Sequence, residues 1–462
     1  MRNSTKENLF IIEVMVGMII LVILPIHCFC DSIYAWIFVC FYLFSVYSIW
    51  IISDSKINPF ILFFLTFGLF IGGRFFGKVL GYNAQIFELD FFITYTASPA
   101  RKIELMILVI GFIWASVVGY ICSCLYKPKK VLDFPTTITT NAAIANIVDK
   151  SFYFLAIVVV YSCLKNLSKV LSEGYVALYL KEQTEAYSGG NGMWGVLMLI
   201  FFGLAYGYGT RGIQKKYLLL YVIQSIFSII MGQRGGFGTT LLILLWIYSF
   251  KHEISLKKMM ICCVVGVLLI LFAFSFSIRA AAQLGNDSLS DWEMLLSFIS
   301  GQGITLMIFD ASRLIEEYPI LPYFNSLIPG VSSIYATLTG ETLHSYDVTF
   351  PAYMGYCFNT SLFYKGFGLG WSVLSDIYLY ANRYSLIFIF LSFVFGFIFS
   401  RIELYAISSR FYKSLLFTLA FPLMMLPRSG LNTFCTLLVY FFVVVLGLIF
   451  FIQLFKRGKA IN

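Results

Sequence analysis

Apolar runs of about 20 residues recur along nearly the whole chain, and short polar or basic connections separate them. A helix of about 20 residues is long enough to cross roughly 30 Å of hydrocarbon. The expected fold is therefore an all-α polytopic membrane protein. The runs predict about twelve transmembrane helices, near residues 8–29, 33–53, 57–75, 103–125, 151–172, 193–210, 215–231, 236–250, 257–276, 377–400, 411–427 and 431–455.

Basic residues in the short connections predict the orientation, because cytoplasmic loops carry the excess of Lys and Arg. The basic clusters fall on one side of the membrane if both termini are cytoplasmic. These clusters are Lys127/Lys129/Lys130, Arg211/Lys215/Lys216, Lys251/Lys257/Lys258, Arg401/Arg410/Lys413 and Lys456/Arg457/Lys459. Both termini are therefore expected to lie in the cytoplasm.

One long polar segment interrupts the series of apolar runs on the external side. It divides the chain into residues 1–276 with nine spans, a large periplasmic loop at 277–376, and residues 377–462 with three spans, all in one membrane domain. A structureless loop of that size is unusual, so short helices are expected within it. One is predicted from Trp292 to Leu314, interrupted at Gly301-Gln302-Gly303, as a hairpin or an interfacial helix.

The composition agrees with a membrane location, since 60% of the residues are hydrophobic, 12% are charged and the mean hydropathy is +0.87. The first run, Leu9 to Cys28, is longer than a secretory signal core and lacks a small-x-small cleavage site, so a retained helix is expected. The cysteines and histidines lack metal-ligand spacing. We expect no metal, no cofactor and no nucleic-acid partner.

The centres of the predicted spans are nearly free of charged residues. Glu13 lies within about a turn of the cytoplasmic end of the first span, and Lys165 and Lys169 lie in the outer part of the fifth, so all three are expected to reach toward an interface. An ion-coupled transporter usually needs charged groups at mid-depth. The pattern therefore argues against a transporter.

Arginines recur at the external ends of predicted spans, in glycine-rich or small-residue surroundings. They are Arg74 in Gly72-Gly73-Arg74, Arg234 in Gly232 to Gly236, Arg279 in Ser277 to Ala280, and Arg428 in Pro427 to Gly430. A guanidinium group binds phosphate oxygens with a planar fork, and Gly235 and Gly236 expose backbone N–H groups at a helix start. These features indicate an anionic ligand at the membrane surface. The alternatives are arginines that reach lipid headgroups or pair with carboxylates, and a tight turn between spans.

Together these features resemble the Wzy-type polymerases, which join undecaprenyl-pyrophosphate-linked O-antigen repeat units. The resemblance covers most of the chain: the number of spans, the large external loop, the Gly-x-Arg-small motif at Gly232 to Gly236, Arg279, and Arg-x-Gly-Leu at Arg428 to Leu431. Tyr175 to Gly192 and Ile328 to Gly330 also match the style of the family. Some relatives carry an acidic residue after the last arginine, where this chain has Ser429.

The resemblance implies a glycosyltransferase that moves a growing glycan from undecaprenyl pyrophosphate to the non-reducing end of a lipid-linked unit, at the periplasmic face of the bacterial inner membrane. Arg234, Arg279 and Arg428, with Arg74, would bind the pyrophosphate, because fixed cations stabilise the charge that develops on the leaving group. The other partners implied are membrane lipids and a regulator of chain length.

A general base for the attacking hydroxyl would come from the large loop. The candidates are His344, Asp347, Glu341 and Asp310, and we rank His344 and Asp347 first as catalytic residues, because aromatic side chains that could stack on sugar lie beside them. His344 could instead be a hydrogen-bonding residue of the loop.

Two other functions fit the same architecture. An O-antigen ligase would use the same donor but transfer the glycan to lipid A-core. A flippase for lipid-linked oligosaccharides would be a non-enzymatic alternative, although it would need a charged or polar cavity along the membrane interior.

Overall fold

The computed structural model describes residues 3–26, 29–53, 57–83, 85–126, 138–184, 193–252, 254–275 and 291–461. The helices of the first half are α1 Asn3–Ile23, α2 Asp31–Ile52, α3 Pro59–Phe70, α4 Gly73–Val79, α5 Pro99–Leu125, α6 Ile138–Glu173, α7 Ala177–Thr184, α8 Met193–Tyr208, α9 Arg211–Ile230, α10 Arg234–Ser249 and α11 Leu256–Ser275. A hairpin of β1 Glu88–Phe91 and β2 Ile93–Thr96 precedes α5, with Glu88 paired to Thr96.

The polar segment that follows is also helical where the structure describes it. Its helices are short: α12 Asp291–Gln302, α13 Thr305–Ser312, α14 Ile320–Leu327, α15 Val331–Thr339, α16 Ser345–Val348, α17 Phe350–Phe358, α18 Thr360–Tyr364 and α19 Val373–Tyr380. The chain then continues with α20 Ser385–Ser408, α21 Arg410–Met425, the 3-10 turn Leu426–Arg428 and α22 Leu431–Ile461.

The chain is a multi-pass membrane protein with an all-α core. Within the described ranges, 7 helices are long and apolar enough to cross a membrane, or up to 8 if the bent pair of α3 and α4 is one span. Each predicted span falls on a helix, but α8 and α10 are shorter apolar helices, and Trp292–Ser312 also qualifies by length and composition. The number of twelve spans stays a prediction.

Two predicted spans differ in shape from the expectation. The span at 57–75 bends by 65° between α3 and α4, where Gly72 and Gly73 leave room for neighbouring backbone and rings. The span at 377–400 is displaced to α20, because Asn382 and Arg383 adopt positive φ of 47° and 67° and end α19. Their turn separates the short, largely buried helix α19 from the span.

Glu13 also departs from the expectation that it reaches an interface. Its side chain is fully buried, and its two carboxylate oxygens accept hydrogen bonds from the hydroxyls of Ser45 at 2.7 Å and Ser48 at 2.6 Å. The charge is thus satisfied between α1 and α2, as a buried polar group requires. A serine pair on the facing helix explains why an acidic residue is tolerated within α1.

Small residues allow the helices of the core to approach closely. The backbones of α5 and α20 meet at Gly119 and Gly396, where an added Cβ would lie 2.1 Å from the Phe393 carbonyl oxygen and 1.8 Å from that of Ser116. Helix α8 meets α21 in the same way at Gly203 and Gly207. Close backbone approach at small residues is the usual way in which helices pack within membranes. These contacts bring together helices that are far apart in the sequence.

Candidate functional site

Three glycine-rich breaks that lie far apart in the sequence meet at one end of the bundle. The bend at Gly73 packs against the break between α12 and α13, where an added Cβ on Gly303 would lie 2.3 Å from the backbone nitrogen of Arg74. Arg428, which follows α21, donates a hydrogen bond from Nη1 to the side-chain oxygen of Gln302 in the same break. Its guanidinium lies 5.4 Å from the centre of the Phe70 ring. Gln302 and Phe70 thus contact the guanidinium of Arg428, while the residue stays exposed.

The segment that carries Arg234 lies beside the segment that carries Arg428. An added Cβ on Gly235 would lie 2.9 Å from the methyl carbon of Met425, three residues before Arg428. The structure describes the backbone of Arg234 at the start of α10 but not its side chain. Arg279 lies outside the described residues. The structure therefore brings together three of the four arginine-bearing segments, those of Arg74, Arg234 and Arg428.

Arg74 has a different environment from Arg428. Its Nη1 donates to the backbone carbonyls of Gln85, Ile86 and Glu88, the second at 3.0 Å. These carbonyls belong to the strand β1 and the turn before it. Arg74 therefore connects the hairpin to the bent helix pair.

The two highest-ranked base candidates form a local helix cap. The backbone N–H of His344 donates to Oδ2 of Asp347 at 2.8 Å, at the start of α16. The imidazole of His344 stacks on Tyr346 with ring centres 5.2 Å apart, and Tyr346 in turn stacks on Tyr356. Both polar side chains are half-buried. This arrangement agrees with the alternative that His344 is a hydrogen-bonding residue of the loop.

The other two candidates are separated from this cap. Glu341 is exposed, whereas Asp310 is fully buried. Asp310 accepts a hydrogen bond from the Tyr95 hydroxyl at 2.7 Å and forms ion pairs with Arg313 at 3.1 Å and Arg101 at 3.7 Å. A carboxylate with three such partners is fixed by its surroundings, so Asp310 joins α13 to the hairpin and to the start of α5.

A cavity of about 800 Å³ lies between the bundle helices at the end where α6 and α9 finish and where α8, α10 and α22 begin. Helices α14 and α15 and the turn between them contribute to its lining. The cavity could not be predicted from the sequence, since each helix contributes only a few polar residues to it. Its polar lining consists of Ser162, Asn166, Gln224, Ser225, Ser228, Gln233, Thr240, Asn325, Ser332, Ser333, Asn432, Thr433, Thr436, Tyr221 and Tyr440.

The motifs singled out in the sequence contribute directly to this lining. Gln233 and Gly236 flank Arg234, and Pro329 and Gly330 come from the turn between α14 and α15. Asn432 and Thr433 follow Arg428 at the start of α22, and together with Thr436 they line the cavity. The convergence of these segments on one cavity marks it as the candidate functional site.

The lining offers neutral hydrogen-bonding groups rather than charges among the residues that the structure describes. Amides and hydroxyls can both donate and accept, which matches the hydroxyl groups of a saccharide. The hydroxyl of Ser225, a 5% exposed residue, has no hydrogen-bond partner within the described chain. A buried polar atom without a partner is rare and points to a ligand or water at that position. Trp194 adds an aromatic surface to the same wall.

A second, smaller cavity of about 370 Å³ lies at the opposite end of the bundle. It is lined by the start of α3 and α21 and by the ends of α2, α5, α10 and α20, and it includes Lys6, Glu403 and Lys413. Oxygens of Glu403 accept hydrogen bonds from the Tyr120 hydroxyl at 2.8 Å and the Phe60 N–H at 2.9 Å. None of the arginine motifs contributes a described residue to this lining. We therefore place the candidate site at the larger cavity.

A further acidic residue, Asp376, lies next to the Arg428 segment and was not singled out from the sequence. Its side chain is 1% exposed; Oδ1 accepts a hydrogen bond from Nε1 of Trp371 at 2.8 Å, and Oδ2 accepts one from the backbone N–H of Leu431. Burial raises the pKa of this carboxyl to about 7, and the two N–H donors oppose that rise. The carboxylate of Asp376 therefore contacts the segment that follows Arg428. In that segment this chain has Ser429, where some relatives have an acidic residue.

The fold and the cavity define a multi-pass membrane protein with a neutral, polar site at one end of its helix bundle. The family model described as O-antigen polysaccharide polymerase Wzy matches residues 8–459, so the chain belongs to this family. It is therefore an O-antigen polymerase of the glycosyltransferase type, which acts in polysaccharide biosynthesis. Comparisons with curated proteins and with solved structures gave no match.

Proposed function

We propose that this polymerase transfers a growing glycan from undecaprenyl pyrophosphate to the non-reducing end of a lipid-linked repeat unit, at the periplasmic face of the inner membrane. The observation that carries the proposal is the cavity, because residues beside Arg234 and Arg428 line it. Its amide and hydroxyl lining suits the saccharide, and Arg428 at its margin suits the pyrophosphate. Family membership favours this reaction over a ligase or a flippase.

The proposed reaction is a displacement at the anomeric carbon of the donor. A hydroxyl oxygen of the acceptor forms a bond to that carbon, the bond to the pyrophosphate oxygen breaks, and the pyrophosphate leaves with the electron pair. The hydroxyl proton passes to solvent water or to the departing pyrophosphate. The sugar passes through an oxocarbenium-like state while negative charge develops on the leaving group. Arg234, Arg279 and Arg428 would stabilise that charge, because preorganised cations act most strongly where charge develops.

Arg428 is the arginine whose described contacts suit this role. Gln302 and Phe70 hold the guanidinium from the protein side, and the residue remains exposed, so a phosphate can approach the group. For Arg74, which donates to backbone carbonyls, we propose a structural role instead. We likewise assign His344 and Asp347 to the cap of α16 rather than to proton transfer.

The first test changes the cavity at Ser225 and compares it with the neighbouring Ile226. Ser225→Leu places an apolar side chain where a buried hydroxyl now lacks a partner, so we expect polymer formation to fall about fivefold or more, since each lost polar contact costs roughly 1 kcal/mol or more. Ile226 is 45% exposed on the outer face of α9, and Ile226→Leu should leave activity unchanged. The measurement is the lipopolysaccharide ladder of a deletion strain carrying each variant.

The same strain distinguishes the three functions. Loss of the polymer with a single capped unit retained indicates a polymerase. Loss of all capping would indicate a ligase, and cytoplasmic accumulation of lipid-linked units would indicate a flippase. Either of the last two results, or a normal ladder from Ser225→Leu at normal protein level, would contradict the proposal.

The second prediction concerns orientation. Basic residues concentrate on the side that carries both termini, so the loops at 127–150, 211–216, 251–258 and 401–413 should be cytoplasmic. The candidate cavity would then open toward the periplasm, because it lies at the opposite ends of the same helices. Reporter fusions at Asn141 and Asn286 should report opposite compartments. Fusions that report one compartment for both would exclude this topology.

A further inference from the structure

Asp376 lies where three parts of the chain meet. Trp371 comes from the stretch before α19, Asp376 from α19 itself, and Leu431 from the first turn of α22. The carboxylate accepts a hydrogen bond from the indole N–H on one oxygen and from the backbone N–H of Leu431 on the other. The residue is buried, so these two donors replace the water that it would otherwise bind. The start of α22 is thereby attached to the external helices.

The residue next to Leu431 is adapted to this contact. A Cβ added to Gly430 would lie 2.9 Å from Oδ2 of Asp376 and 3.0 Å from the Trp371 ring. Glycine is therefore needed for the backbone to approach the carboxylate. The ring of Trp371 also stacks on Phe350 at 5.7 Å between ring centres, which holds the indole N–H in position to donate to Asp376.

This contact lies between two parts of the proposed site. Arg428 precedes Leu431 by three residues, and Asn432 and Thr433, which line the cavity, follow it directly. A shift at Leu431 would displace the arginine and the cavity wall together. Displacement of reacting groups by about 1 Å can cost on the order of a hundredfold in rate.

We propose that Asp376 is a positioning residue for glycan transfer, which holds the start of α22 so that Arg428 and the cavity-lining Asn432 and Thr433 keep their places. It touches neither substrate, since both of its oxygens face protein donors and it is not part of the described cavity lining. This inference rests on the proposed function of the site. It adds a residue that lies outside the arginine motifs.

The ionisation of Asp376 provides a specific readout. The ionised carboxylate accepts both N–H bonds fully, whereas protonation turns one oxygen into a donor beside an N–H group. The pKa of about 7 places this change near neutral pH. Within the part of the chain that the structure describes, the titratable groups that face Asp376 are Tyr380 and Cys435. Both ordinarily lose their protons above pH 8, so neither produces the same change.

Activity and stability should respond to pH in opposite directions. Activity should rise as pH increases through about 7, because the ionised form positions the segment. The folded pKa lies above the unfolded value of about 3.9, so the folded state binds more protons between the two. The contribution of Asp376 to the stability of the folded state is therefore fully present below the pKa of the unfolded chain. It is lost as pH rises through the pKa of about 7 in the folded protein.

The experiment measures polymer formation by purified protein in vesicles from pH 5.5 to 8.5. Asp376→Asn keeps the shape but offers one acceptor oxygen to two donors, so we expect kcat to fall about tenfold or more with little change in KM for the lipid-linked unit. The rise in activity near pH 7, called here the pH limb, should disappear in Asp376→Asn. Asp376→Glu should restore part of the activity and part of the pH limb. The control is Asp149→Asn, which removes an exposed ion pair with Lys216 and should leave the profile unchanged.

Trp371→Phe is the second variant and keeps the inference testable if Asp376→Asn fails to fold. It removes one donor to the ionised carboxylate while keeping the aromatic packing, which raises the pKa of Asp376. The pH limb should therefore move to higher pH, by about half a unit or more. A limb that persists in Asp376→Asn, or that does not move in Trp371→Phe, would overturn the positioning role. The proposed function itself fails separately, if Ser225→Leu retains full activity.

Discussion

Arg428→Lys is expected to lower polymer formation by roughly a hundredfold or more, although the positive charge is kept. Lysine cannot reproduce the planar fork with which a guanidinium holds a protein acceptor and a phosphate at once. In this chain the fork is partly engaged by Gln302, and the group lies over Phe70, so its direction is set before substrate binds. The measurement is the rate of glycan transfer in membranes with matched amounts of each variant.

Arg401→Lys is the matched control for this experiment. Arg401 also places its guanidinium over an aromatic ring, that of Phe397, and Nη1 donates to the Tyr126 carbonyl at 2.9 Å. It lies in the second half of α20, toward the end of the bundle opposite to the candidate site. Its substitution should change the rate by less than about threefold, as for an exposed surface contact. Lysine variants at Arg234 and Arg279 should resemble Arg428→Lys if the three share one pyrophosphate. Wild-type ladders from all three would show that these arginines are only interfacial.

Much of the helical architecture could be predicted from the sequence, because membrane spans are encoded locally by runs of apolar residues. The bend between α3 and α4 and the displaced start of α20 could not be predicted in this way. The first depends on packing of Gly72 and Gly73 against distant residues, and the second on the backbone at Asn382 and Arg383. Both are set by tertiary context, to which a hydropathy pattern is insensitive.

The candidate site could be predicted only in part. The arginine motifs stood out because arginine beside glycine is conspicuous at the end of an apolar run, and the structure places Arg428 and the backbone around Arg234 at one end of the bundle. The cavity was missed because its amides and hydroxyls are distributed over several helices. Asp376 was missed because its partners are a backbone N–H and an indole from outside its own helix. Such partners leave no sequence spacing to recognise.

The close contact between α5 and α20 gives the other large expected effect, on stability. Gly396→Ala would place a methyl group 1.8 Å from the backbone carbonyl oxygen of Ser116, and 2.6 Å from its carbonyl carbon. Backbone atoms cannot turn away as a side chain can, so the two helices must separate along their contact. Overpacking of this kind costs about 3 kcal/mol. We expect a markedly lower thermal unfolding midpoint in detergent and less protein in the membrane.

Gly447→Ala makes the same chemical change in a helix where the added methyl meets nothing within 4 Å. Alanine favours the helical backbone over glycine by about 1 kcal/mol, so this variant should be slightly more stable than the natural chain. Gly203→Ala should behave like Gly396→Ala, because its methyl would lie 2.4 Å from the Ser414 carbonyl oxygen. Opposite signs at Gly396 and Gly447 separate helix packing from helix propensity. If both variants were equally stable, α5 and α20 could not approach as closely as the structure shows, and the arrangement of the bundle around the cavity would have to change with them.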